Sequence, residues 1–112
     1  MSISTHVLDA ARGVPAEGME LRLQRLDGDA TVTEVGSGTT DADGRCPSLT
    51  RGLVLEPAAY RLRFETGAWF ERSGTSAFYP VVELVFEVTD AAAHYHVPLL
   101  LSPFAFSTYR GS

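Results

Sequence analysis

The most regular runs of this chain alternate apolar and polar residues one for one. In Met19–Leu26, Met19, Leu21 and Leu23 alternate with Glu20, Arg22 and Gln24. In Tyr60–Glu65, Tyr60, Leu62 and Phe64 alternate with Arg61, Arg63 and Glu65. A strand sends successive side chains to opposite faces, so a period of two marks a half-buried β-strand and excludes an amphipathic helix. Val81–Val88 places Val82, Leu84, Phe86 and Val88 on one face, with Glu83 and Glu87 on the other, and Thr31–Val35 is rich in β-branched residues. Turn-forming stretches separate these runs at residues 12–18, 27–29, 41–45 and 102–104. Short strands about ten residues apart predict a sandwich or barrel. Only Trp69–Ala77 reads as a helix. The 112 residues, 45% of them hydrophobic, suffice for one domain with one core. The expectation is a single all-β domain over residues 1–112 with seven or eight strands.

One segment sets a problem. His94–Ser102 reads as a strand, yet Pro98 has no N–H to give to a ladder. Either Pro98 occupies an outward-facing edge position or the strand bends there. Tyr95, Val97, Leu99 and Leu101 form the core face, so His94 and His96 project away from it.

Charge and composition exclude several functions. A net charge of −5 with scattered arginines offers no counterion-releasing patch, so no nucleic-acid partner is expected. The chain has neither Lys nor Asn. It therefore lacks a Schiff-base lysine, a phosphate-loop lysine and an N-glycosylation acceptor. No apolar run is long enough to span a bilayer, so no membrane partner is expected. No secretory signal is legible at the N-terminus, and the expectation is a cytoplasmic protein. Cys46 stands alone, which rules out an internal disulfide, and it reads as a small buried side chain.

Singly, the chemically capable residues point nowhere. His6 in a strand reads as structural or exposed, and Arg45 as a solvated loop residue. His94 and His96 could share a metal, but no third ligand follows at a known spacing. Tyr109 and Arg110 could simply end an edge strand.

Taken in order, however, Ile3–Asp9 (ISTHVLD), Asp43–Pro47 (DGRCP), His94–Phe104 (HYHVPLLLSPF) and Ser107–Ser112 (STYRGS) resemble the 5-hydroxyisourate hydrolase family, also called transthyretin-related proteins. The resemblance runs from Ile3 to Ser112. Its most specific element is Tyr109-Arg110-Gly111-Ser112, which in that family sets the hydrolases apart from the hormone-carrying transthyretins. His6, Arg45 and His96 fall on the family's other functional positions.

The resemblance implies a prealbumin-like sandwich of two four-stranded sheets with one short helix. It also implies a homotetramer, a dimer of dimers with active sites in a channel between dimers, and a planar purine-derived substrate opened by hydrolysis. Within that frame His96 or His6 is the general base, the other orienting water or substrate. Arg45 is first choice for the developing oxyanion, with Arg110 supporting. Tyr109 offers an aromatic surface, Gly111 close backbone approach, and Ser112 a hydroxyl and a carboxylate. The scheme calls for no metal and no organic cofactor. The competing expectation is a transthyretin-like carrier of a small molecule, with an apolar channel lacking convergent His and Arg. A cell-surface β-domain or a metal enzyme built on the histidine pair are weaker alternatives.

Overall fold

The alternating runs become strands because each can bury one face and solvate the other. In the computed structural model, which describes residues 2–112, the order is β1 (Ser2–Asp9), β2 (Val14–Pro15), β3 (Glu20–Leu26), β4 (Val32–Thr39), β5 (Ala58–Phe64), α1 (Thr66–Arg72), β6 (Val82–Val88), β7 (His94–Ser102) and β8 (Ala105–Thr108). Two four-stranded sheets form, ordered β2-β1-β7-β8 and β4-β3-β5-β6. Their facing surfaces make one core. Ile3, Val7, Leu99 and Leu101 come from the first sheet, and Leu21, Leu23, Tyr60, Leu62, Phe64 and Val82 from the second. Complete burial of such a side chain contributes roughly 1.5–3 kcal/mol. The sandwich of two four-stranded sheets with one short helix is thus the observed fold.

The pairing that matters most for the site is also the least local. β1 and β7 run parallel, with Ser4 beside His96 and His6 beside Pro98. Parallel neighbours need a crossover connection. Here the crossover is the entire second sheet, since β3 to β6 intervene in the chain.

Two expectations need correction. The helix spans Thr66–Arg72, not Trp69–Ala77. Its end is set by Gly74, which takes φ +70°. The Gly74 N–H donates to the Glu71 carbonyl and the Thr75 N–H to the Phe70 carbonyl, both at 3.0 Å. This paired closure with a left-handed glycine after the last turn is the Schellman motif. The helix starts earlier because Thr66 and Phe70, one turn apart, are the two side chains it buries.

Pro98 is buried and lies within a continuous inner strand, neither at an outward-facing edge nor at a bend. The pairing with β8 begins one residue later, at Leu99 and Thr108. The Pro98 carbonyl accepts the Thr108 hydroxyl at 2.7 Å, and the His96 carbonyl accepts the Gly111 N–H at 2.8 Å. Both carbonyls therefore face the β8 side, and the missing N–H of Pro98 faces the gap left where Tyr109 and Arg110 step out of the ladder.

Candidate active site

On β1 the buried Ile3, Thr5 and Val7 force Ser2, Ser4 and His6 onto the outward face of the sheet. On β7 the buried Tyr95, Val97 and Leu99 do the same for His94 and His96. The parallel register sets these two polar rows side by side. All three histidines of the chain thus share one face.

A turn brings Arg45 to this face. The Asp41 carboxylate accepts the Asp43 N–H at 2.9 Å and the Arg45 N–H at 3.0 Å, closing the turn on itself. Gly44 then presses against β1, its carbonyl accepting the Val7 N–H at 2.8 Å. Arg45 forms an antiparallel bridge with His6. Gly44 takes φ +77°, and a Cβ there would meet the Val7 carbonyl oxygen at 2.3 Å. Both the left-handed backbone and the clash exclude a side chain. Gly44→Ala is expected to cost about 2–4 kcal/mol of stability, the sum of left-handed strain and a displaced backbone contact. Chemical denaturation of both proteins measures it, and an unchanged midpoint would show that the turn tolerates a Cβ.

The C-terminal segment reaches the same face from the other side. β8 ends at Thr108, and the chain rejoins the sheet at a single bridge between His96 and Gly111. A Cβ on Gly111 would lie 2.5 Å from Cδ2 of the His96 ring. Only glycine lets the backbone lie against the imidazole.

His96 is the best-defined group of the cluster. Its Nδ1 lies 2.8 Å from the Ser4 hydroxyl, which leaves Nε2 for a ligand. The Ser4 hydroxyl also lies 3.0 Å from Nε2 of His94, and the Ser2 hydroxyl bonds Nδ1 of that ring. The two imidazoles are nearly parallel, 6.4 Å between centroids. Burial first, then the charge of Arg45 and the electrostatic influence of the neighbouring His94 and His6, hold the His96 imidazole below the ordinary histidine range. It is therefore a neutral ring, able to accept a proton, down to lower pH than a free histidine.

The remaining tail residues go elsewhere. The Arg110 guanidinium lies over the Tyr95 ring, 4.4 Å from its centroid, instead of among the histidines. The Tyr95 hydroxyl accepts the Thr89 and Asp90 N–H groups, so the platform itself is anchored. Tyr109 is 59% exposed and Ser112 is exposed. Within one chain the sheet face therefore gathers His6, Arg45, His96 and Gly111, with Tyr109 and Ser112 exposed beside it and Arg110 held against Tyr95 on the other face. Cys46 is buried, and burial raises its thiol above the ordinary range, which disfavours a nucleophilic thiolate.

Sequence reasoning overlooked Ser2 and Ser4. The signal was present, since Ser2, Ser4 and His6 share the period-two face. It became meaningful only once that face had β7 as its neighbour.

Comparison with known proteins places this geometry. A model of the HIUase/Transthyretin family matches residues 3–111. The 5-hydroxyisourate hydrolase of Mus musculus is 45% identical over 111 residues, covering 98% of this chain and 94% of the relative. Among solved structures, Klebsiella pneumoniae 5-hydroxyisourate hydrolase superposes with a TM-score of 0.85 at 36% identity, covering 98% of each chain. Sea bream transthyretin in complex with thyroxine superposes with a TM-score of 0.91 at 32% identity, covering 97% of this chain and 93% of the other. The transthyretin overlays more tightly and the hydrolase is more alike in sequence. Backbone shape does not separate the two activities, so the side chains of the site must.

Proposed function

Since the chain belongs to the HIUase/Transthyretin family, we propose that it is a 5-hydroxyisourate hydrolase, and that the outward face of the β2-β1-β7-β8 sheet is where it works. The observation that carries this reading is the packing of Gly111 and Ser4 on either side of the His96 ring, with Arg45 brought to His6 by a glycine turn. A small-molecule carrier with an apolar channel has no use for a neutral imidazole held between a hydroxyl and a backbone beside an arginine.

The reaction opens the six-membered ring of a planar, polar purine oxidation product at an amide-type bond. His96 Nε2 takes a proton from water as the water oxygen bonds to the carbonyl carbon. The Arg45 guanidinium faces the oxygen that gains charge; a preorganised donor in such a place contributes roughly 3–4 kcal/mol. The carbon–nitrogen bond then breaks, His96 returns the proton to the leaving nitrogen, and the new acid ionises. The product is 2-oxo-4-hydroxy-4-carboxy-5-ureidoimidazoline. His6, beside Pro98 on the neighbouring strand, orients water or substrate. Tyr109 and Ser112 bound the substrate's edge, and Arg110 acts from the other side of the tail by holding it against Tyr95. No metal or organic cofactor takes part.

The face is open in a single chain, with Arg45 and Tyr109 exposed. A homotetramer, a dimer of dimers, would close it and exclude bulk water. The edge strand β8, with exposed Phe106 on it and exposed Phe104 in the turn before it, is suited to pairing with a second copy.

The direct test follows the ultraviolet decay of 5-hydroxyisourate made in situ from urate. Decay should be much faster than the spontaneous rate, with chelator present and no metal added. A trace that matches buffer alone rejects the enzyme, and loss of activity on chelation favours a metal mechanism.

A further inference from the structure

The Ser4 hydroxyl stands between two imidazoles, and it has only one proton to give. It lies 2.8 Å from His96 Nδ1 and 3.0 Å from His94 Nε2. A neutral imidazole carries one N–H, and which nitrogen carries it is set by the partner of the other. With the Ser4 proton given to one of the two rings, the array has two self-consistent directions. In one, His96 Nδ1–H donates to Ser4, Ser4 O–H donates to His94 Nε2, and His94 Nδ1–H donates to Ser2 Oγ. In the other, every donor and acceptor is exchanged, and His96 presents Nε2–H, no longer a base, to the substrate.

We propose that Ser4 and His94 are positioning residues that hold His96 in the Nδ1–H tautomer, so that its Nε2 lone pair faces the site. One feature selects this direction. Arg45, brought to the same face beside His6, favours a lone pair over an N–H dipole directed toward its charge. Ser4 on β1 and His94 on β7 thus act on the reaction without touching substrate. The inference rests on the hydrolase reading for its effect on rate, while the tautomer itself is a property of the resting protein.

The test compares Ser4→Thr, which keeps a hydroxyl, with Ser4→Val, which matches threonine in shape but has none, and with His94→Ala. Nitrogen NMR of the imidazole rings reports the tautomer directly, and steady-state kinetics on 5-hydroxyisourate reports its consequence. The intact protein and Ser4→Thr should show a protonated Nδ1 and an unprotonated Nε2 at His96. Ser4→Val should shift His96 toward the Nε2–H form and lower kcat about tenfold with KM little changed, less than the roughly 100-fold or more expected for losing the proton-transferring group itself. His94→Ala, an exposed change with little risk to folding, should shift the tautomer in the same sense. An intact protein whose His96 is protonated at Nε2, or a Ser4→Val spectrum identical to the intact one, overturns the proposal. If the intact protein has no turnover, the hydrolase reading fails, and the NMR pattern still decides the tautomer.

Discussion

Replacing His96 with alanine should lower kcat by at least about 100-fold, the lower end of what a positioned acid–base group contributes. The fold should survive, because the ring lies on the outward face and adds nothing to the core between the sheets. His6→Ala should also remove most of the rate, since His6 occupies the adjacent strand on the same face. His94→Ala should cost less, as it acts only through Ser4. The pH profile supplies a sharper check. The neutral form of His96 is the base, and burial with nearby positive charge holds the ring below the ordinary range. The acid limb of kcat/KM should therefore lie below about 6.5, the value for an unperturbed histidine. Arg45→Ala removes one charge that opposes protonation, so it should move that limb to higher pH while lowering the rate. Thermal melts and rate profiles of the four variants decide the matter. A His94→Ala loss larger than that of His96→Ala would reverse the assignment.

Deleting Tyr109–Ser112 should be nearly as damaging to turnover and mild for stability. The deletion removes the Gly111 N–H bond to the His96 carbonyl, the backbone packed on the His96 ring, and the Arg110 clasp on Tyr95. A hydrogen bond and an exposed cation–π contact together are worth about 1–2 kcal/mol. Tyr109 is largely exposed and adds little. The ring freed on one side can tilt, and a displacement of about 1 Å at a reacting group costs on the order of 100-fold. Gly111→Val isolates the packing, because it keeps the whole tail but drives a branched side chain into the imidazole. Both variants should fold and melt close to the intact protein while losing most turnover. Full activity in either would mean that the tail is not part of the site.

The legible part of this protein was whatever repeats over a few residues. Alternation in Met19–Leu26 and Tyr60–Glu65 is a local property, and it correctly specified β3, β5 and their buried faces, except at Gln24, which the polar row turns to solvent but a register shift after Leu23 leaves buried. The same logic turned His94 and His96 outward. The chemically capable residues could be listed as well, and the four motifs carried the family.

What only the tertiary structure decided depends on who neighbours whom. Ser4 and His96 are 92 positions apart and meet because β1 and β7 pair in parallel, a partnership no local pattern encodes. Arg45 joins His6 through a backbone contact that Gly44 alone permits, and a glycine in a turn looks the same whether or not a strand lies against it. The helix was displaced along the chain because burial of Thr66 and Phe70 and the left-handed Gly74 outweighed local propensity. Pro98 fits an inner strand because its missing N–H faces a gap made by β8, ten residues further on. Arg110 turned to Tyr95 because the tail alternates sides as it rejoins the sheet, sending Gly111 to His96 and its neighbour to the opposite face. Side-chain direction is set by the strand itself, whereas contact requires a second strand, and the choice of that strand is a property of the whole sandwich.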